Sequence, residues 1–377
     1  MSEKKPINIL AVFGTRPDAV KMAPVVQDLR KFPDKVALSV AVSGQHREML
    51  DQVLDVFDIK PDFDLQIMRE KQSLASITCR CLEGLEKVFE EVNPKMVLAQ
   101  GDTTTTFAAS LAAFYHKIPF GHVEAGLRTD NKYNPFPEEM NRRLTTVLGD
   151  LHFAPTEMAR RNLLKDGIPD EKIYVTGNTV IDALLTVAKK QYKFDDSEIE
   201  NAFDKGSRVI LVTAHRRENW GEPIQSICEA IATIVKRHPD VKVVFPVHKN
   251  PIVREVVYPA LEGVNRVYLT EPPDYVPFVH MMKRSYLILT DSGGVQEEAP
   301  SLGKPVLILR ETTERPEAVE AGSARLIGTK KKDIVAEVES LLASRTQYDR
   351  MSEVKSPFGD GSAARRIREA IFEYFKI

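Results

Sequence analysis

The chain predicts an α/β fold of two Rossmann-like, doubly wound domains facing a cleft, and three observations carry that reading. Short apolar runs alternate with helix-period stretches along the sequence, the series restarts at Arg208, and residues with ligand chemistry cluster just after the apolar runs. In such sheets ligands sit outside the carboxyl ends of the strands.

The first series runs INILAVF then Pro17 to Lys31, VALSVAV then His46 to Phe57, KMVLAQ then Thr103 to Tyr115, and IPFGHV. The second runs RVILVTA, Ile224 to Lys236, VKVVFPV, RVYLT, YLILT and PVLIL. Between them the polar helical stretch from Asn178 to Lys205 is the linker candidate. The expected domains are residues 1–178 together with a C-terminal helix at about 361–377, and residues 179–360. That last helix, Ala363 to Phe375, carries Ile367, Ile371 and Phe375 at four-residue spacing and is expected to pack back on the first domain.

With 377 residues the chain exceeds one ordinary core, so two domains are the prior. Lys plus Arg (52) nearly balances Asp plus Glu (54), which removes any general attraction to nucleic acid and makes phosphate recognition local. Cys79, Cys81 and Cys228 give neither a disulfide framework nor a zinc pattern. The charged MSEKKPINILAVFG contains no apolar run of signal-peptide or membrane-span length, so a cytoplasmic protein is expected.

The strand-end motifs carry the chemistry. Leu287 to Leu309 joins strand, Asp291-Ser292-Gly293-Gly294 turn, helix start and strand. Its glycines admit close ligand approach, the helix start offers N–H groups to phosphate, and Glu298 offers a carboxylate to ribose hydroxyls. The competing reading makes Ser292 a cap and Glu297 and Glu298 complements to the helix dipole. FGTRPDAVKMAP places Arg16 and Lys21 as phosphate partners, against a solvated Lys21. No GxGxxG fingerprint follows a strand, which disfavours nicotinamide-dependent oxidation.

Asp102 follows VLAQ, either as an acid or as the cap of the next helix. Glu124 follows GHV, either as an acid or paired to Arg128. Glu138 opens the helix after NPFP, either as an acid or as a surface partner of Arg142. Three carboxylates at consecutive strand ends suit proton transfer on a sugar better than capping. TAHRREN adds His215 and Arg216 as anion-binding candidates, and PVHKNP repeats that logic at His248.

FGTRPDAVKMAP, QGDTTTT, HVEAGLRT, PFPEEMNRR, TAHRREN and TDSGGVQEEAPSLGKPVLILRETTERPEA occur in that order and together resemble the non-hydrolysing UDP-N-acetylglucosamine 2-epimerases. The likeness extends from about Ile9 to FGDGSAARRI; the six ordered motifs are specific where each alone is not. The resemblance implies a B-type glycosyltransferase-like fold and reversible conversion of UDP-N-acetylglucosamine to UDP-N-acetylmannosamine without NAD or metal. It implies cytoplasmic homodimers supplying cell-surface polysaccharide precursors. Carried over by position, Arg16, Lys21, His215, Ser292, Gly293, Gly294, Glu298 and Arg315 become nucleotide and diphosphate contacts, with Asp102, Glu124, Glu138 and His215 catalytic. Elimination of UDP across C1–C2 to 2-acetamidoglucal avoids a costly C2 carbanion, and re-addition completes the inversion.

The resemblance also implies a second UDP-N-acetylglucosamine bound as activator at Gln45, His46, Lys71, Gln72, Glu138, Arg216 and His248. Here Lys71 stands where the family commonly has arginine and Glu48 where it has glutamine, so a bidentate fork is lost and a negative charge gained. Asp18 for the usual glutamate and Ser356 for the usual asparagine are milder departures. The alternatives are a hydrolysing epimerase, a B-type glycosyltransferase and a nucleotide-sugar sensor without chemistry.

Overall fold

The computed structural model describes residues 5–44, 47–69, 72–129, 131–204 and 206–377. The chain divides into two compact units, Met1–Ala183 with Phe358–Ile377, and Leu184–Pro357.

The first unit alternates strands and helices. It contains β1 (Ile7–Phe13), α1 (Arg16–Leu29), β2 (Val36–Val42), α2 (Arg47–Val56), β3 (Phe63–Asp64), α3 (Leu74–Val92) and β4 (Met96–Gln100). It continues through α4 (Thr104–Tyr115), β5 (Phe120–Val123), α5 (Glu138–Leu148), β6 (Leu151–Ala154), α6 (Glu157–Lys165) and β7 (Ile173–Val175). These strands form one sheet in the order β3-β2-β1-β4-β5-β6-β7, every pair parallel. Parallel strands need helical crossovers on both faces, so the central strands are apolar throughout: Ile9 to Val12 and Met96 to Ala99 are wholly buried.

Helix α7 (Thr179–Ala188) begins in the first unit and ends in the second. The second unit adds α8 (Ser197–Ala202), β8 (Arg208–Thr213), α9 (Glu222–Arg237), β9 (Val241–Pro246), α10 (Pro251–Leu261), β10 (Val267–Thr270) and α11 (Tyr275–Arg284). It closes with β11 (Leu287–Thr290), α12 (Gly293–Glu298), β12 (Val306–Ile308), α13 (Pro316–Glu320), β13 (Ala324–Leu326), α14 (Lys331–Ala343) and α15 (Arg345–Ser352). Its sheet, also parallel, runs β10-β9-β8-β11-β12-β13. Ile224, Ile227, Ile231 and Ile234, one face of α9 at helical spacing, pack with Ile210, Val243 and Phe245 in its core.

Both sheets are Rossmann-like. In each the order reverses between the first strand in the chain and the fourth, β1 against β4 and β8 against β11, and that reversal opens the crevice where ligands bind.

Helix α16 (Ala363–Phe375) returns the chain to the first unit. The Asp182 carboxylate accepts the Ala363 and Ala364 N–H groups at 3.1 and 3.0 Å, satisfying donors that a helix start leaves unpaired. Arg368 donates to Asp28 of α1 at 2.8 Å, its guanidinium 4.4 Å from the centre of the Phe32 ring. No helix among the described residues is long and apolar enough to cross a membrane.

Candidate active site

In the first unit the acids sit just after β4 and β5, and cations from two helices hold them. Asp102 follows the turn at Gly101, whose φ of +76° is a conformation a side chain resists. Three groups fix that turn. Buried His122 of β5 donates from Nε2 to the Gly101 carbonyl at 2.7 Å, Asn141 of α5 donates to the Asp102 carbonyl at 3.0 Å, and Arg142 of α5 donates to the Asp102 carboxylate. Burial holds His122 well below its ordinary range, at about 4, so its ring is neutral.

Asp102 does not cap α4. Thr103 does, its hydroxyl accepting the Thr106 N–H at 3.3 Å, which frees the Asp102 carboxylate for Arg142. Nor does Arg142 serve Glu138, its neighbour four residues back; it joins Asp102 and, at 3.5 Å, Glu139. Glu138 is half-buried at the start of α5.

Glu124 follows β5 with φ +62°. Its partner is Lys21 of α1, at 2.8 Å from Oε1 and 2.5 Å from Oε2. Arg128 turns elsewhere, to Asp166 at 2.7 Å and Thr146 at 2.8 Å. Lys21 is therefore no solvated helix residue, while Arg16, one turn earlier, is exposed at the helix start. Asp18, between them, is buried and accepts the Gly14 and Thr15 N–H groups at 3.3 and 3.2 Å. Burial raises it to about 6 against these hydrogen bonds.

In the second unit the candidates gather after β8 and β11. Ser292 precedes α12 without capping it by its side chain, and the Ser292 N–H instead donates to Thr290 Oγ1 at 2.9 Å. A Cβ at Gly293 would lie 3.7 Å from Nη2 of Arg216 and 4.0 Å from Nη2 of Arg315, so two guanidiniums converge over this glycine. Gly294 is exposed. Glu297 is buried and accepts from Arg315, which is its role in place of dipole complement alone. Glu298 lies half-buried beside Tyr275, whose phenol is raised by burial and by that carboxylate.

His215 stacks on exposed His248, ring centres 5.4 Å apart. Burial lowers its pKa and the neighbouring Asp291 opposes that shift. Asp291 is wholly buried: Oδ2 accepts the His215 and Arg216 N–H groups at 2.8 Å each and the Asn219 amide at 2.9 Å.

Sequence reasoning read Asp291 only as part of a turn, although it follows a strand as Asp102 and Glu124 do. It passed over Glu139, fully buried and bound by Arg143 at 2.7 Å and the Thr129 N–H at 3.0 Å, because the adjacent Glu138 occupied the same motif. No pattern in the sequence marks His122 as a turn support. Of the activator residues, Gln72 accepts from Arg80 at 3.2 Å, and Gln45, His46 and Lys71 lie outside the described residues.

Known proteins are similar to this chain across nearly its whole length. The family model for UDP-N-acetylglucosamine 2-epimerase matches residues 28–372. The UDP-N-acetylglucosamine 2-epimerase of Escherichia coli K12 is 54% identical over 97% of this chain and 98% of its own. A crystal structure of the Neisseria meningitidis UDP-GlcNAc 2-epimerase, bound to UDP-GlcNAc, superposes with a TM-score of 0.85 at 50% identity, covering 97% of this chain and 100% of that one. A glycotransferase of kitacinnamycin shares the fold alone, with a TM-score of 0.67 at 13% identity over 99% of this chain and 100% of its own. Matched from its first sheet to its last helix at this identity, the chain belongs to the UDP-N-acetylglucosamine 2-epimerase family.

Proposed function

We propose that the protein interconverts UDP-N-acetylglucosamine and UDP-N-acetylmannosamine without releasing free sugar. The observation that carries this reading is the pair Asp102 and Glu124, each at a strand end and each matched to its own cation, Arg142 and Lys21. Carboxylates placed on the two sides of one carbon can take a proton from one face and return one to the other.

The C2 hydrogen of the sugar is not acidic, so a carboxylate removes it only as the C1–O bond breaks and the electron pair leaves with UDP. The product is 2-acetamidoglucal. The second group, a carboxyl carrying a proton taken from solvent, then delivers it to the opposite face of C2 as UDP re-adds at C1. Glu138 supports this pair. Arg16, Lys21, His215, Ser292, Gly293, Gly294, Glu298 and Arg315 receive the nucleotide. The guanidiniums of Arg216 and Arg315 over Gly293 favour the charge of the departing diphosphate.

The same reading extends to a cytoplasmic homodimer that supplies polysaccharide precursors and takes a second UDP-N-acetylglucosamine as activator at Gln45, His46, Lys71, Gln72, Glu138, Arg216 and His248. Exposed Met140, Leu144 and Val147 of α5 form an apolar stripe at helical spacing that a second copy would cover. Sedimentation across a concentration series tests the dimer, and rates against substrate concentration test activation, a sigmoid supporting it and a hyperbola opposing it.

Proton NMR in heavy water tests the reaction. The expected result is a mixture of both UDP-sugars deuterated at C2, with Asp102→Asn and Glu124→Gln each slowing turnover by about 10²-fold or more. Accumulation of free N-acetylmannosamine, or full turnover in both variants, overturns the reading.

A further inference from the structure

Asp291 spends only one of its carboxylate oxygens on the backbone. Oδ2 takes all three hydrogen bonds that pin the turn after β8, from the His215 and Arg216 N–H groups and the Asn219 amide. Oδ1 makes no hydrogen bond among the described residues, and the imidazole Nδ1 of His215 stands 3.3 Å from it. A wholly buried carboxylate oxygen needs a donor, and the imidazole is the one within reach.

We propose that Asp291 is a positioning residue that fixes the tautomer of His215. The role His215 then plays rests on the epimerase reading above. A carboxylate only accepts, so the nitrogen facing it, Nδ1, carries the proton in the neutral ring. Nε2, directed away from Asp291, is then a bare acceptor when the ring is neutral and a donor when it is charged. As the C1–O bond breaks and its electron pair stays on the phosphate oxygen, a charged His215 donates from Nε2 to that oxygen. The reverse tautomer would place the donor permanently on Nε2 and end this exchange. The stack of His215 on His248 restrains the ring plane, so tautomer and orientation are set together. The carboxylate also opposes the loss of the ring's charge that burial favours.

Histidine ring ¹⁵N NMR on the full chain, with His215→Asn identifying the resonance, reads the tautomer directly. The expected result is a protonated Nδ1 and an unprotonated Nε2 in the neutral ring; the opposite assignment overturns the proposal whatever the enzyme's activity. Kinetics form the second arm. Asp291→Asn presents an amide to Nδ1 and should lower kcat by about 10²- to 10⁴-fold, the upper figure being that of the same change behind the histidine of a serine-protease triad, with KM changed less than about threefold. The limb of the pH profile that follows His215 deprotonation should move to lower pH. Added to His215→Asn, Asp291→Asn should cost less than about threefold more. Losses that multiply in the double variant would show that Asp291 acts only on the turn and overturn the proposal. A wild-type chain that fails to epimerise would reject the epimerase reading and leave the tautomer measurement standing.

Discussion

Nζ of Lys21 lies 2.8 Å from Oε1 of Glu124, a contact across 103 residues that ties the second turn of α1 to the end of β5. Both side chains are largely buried, 19% and 8% exposed, so neither charge is well served by water. Removing one partner takes a close countercharge from the other, and that asymmetry exceeds the net value of the pair. Lys21→Met should destabilise the chain by about 2 kcal/mol, under the fully buried range because Lys21 keeps some exposure. Glu124→Gln in the same chain should return most of that loss in urea unfolding without restoring turnover. Additive stability losses in the double variant would refute a coupled pair.

Asp18 gives the first unit a pH dependence of definite sign. Its carboxyl is raised from 3.8 to about 6 by burial, so the folded chain binds this proton more tightly than the unfolded chain does. Its contribution to stability is full below pH 4 and declines as pH climbs to about 6, by about 2–3 kcal/mol. Asp18→Asn keeps an acceptor for the Gly14 and Thr15 N–H groups and removes the titration. The stability of wild type relative to this variant should therefore fall between pH 4 and 6.5. A difference that is flat across that window would show that Asp18 does not titrate there.

Much of this architecture was legible because buried parallel strands advertise themselves. INILAVF, VALSVAV and RVILVTA are apolar on both faces, and the helices between them keep a helical period. Phe63–Asp64 was not legible, since a two-residue edge strand has no period to read. The acids were legible by position after their strands, but their partners were not. Spacing offered Arg128 to Glu124 and Arg142 to Glu138, whereas packing brought Lys21 from 103 residues away and directed Arg142 to Asp102 across 40. Asp291 illustrates the same limit. An aspartate after a strand reads as a turn residue, and only the fold places it under a histidine 76 positions earlier.

Gly126, two residues beyond Glu124, is constrained most closely by backbone. Its φ is +93°, and a Cβ there would stand 2.3 Å from the Ala159 carbonyl oxygen and 2.8 Å from its carbon, atoms of α6 that cannot rotate away. The Gly126 carbonyl also accepts the Asn162 amide at 2.9 Å, so α6 holds this turn from two directions. Gly126→Ala combines left-handed strain with overpacking and should cost about 2–4 kcal/mol. Gly167 is the control: its φ is +84° with nothing within 4 Å of an added Cβ, so Gly167→Ala should carry the conformational cost alone, about 1 kcal/mol. Because α6 must shift to admit the methyl group and Glu124 sits on the same turn, Gly126→Ala should also lower kcat at temperatures where the chain stays folded, and Gly167→Ala should not. Equal urea midpoints for the two variants would show that close approach to Ala159 is not what fixes this glycine.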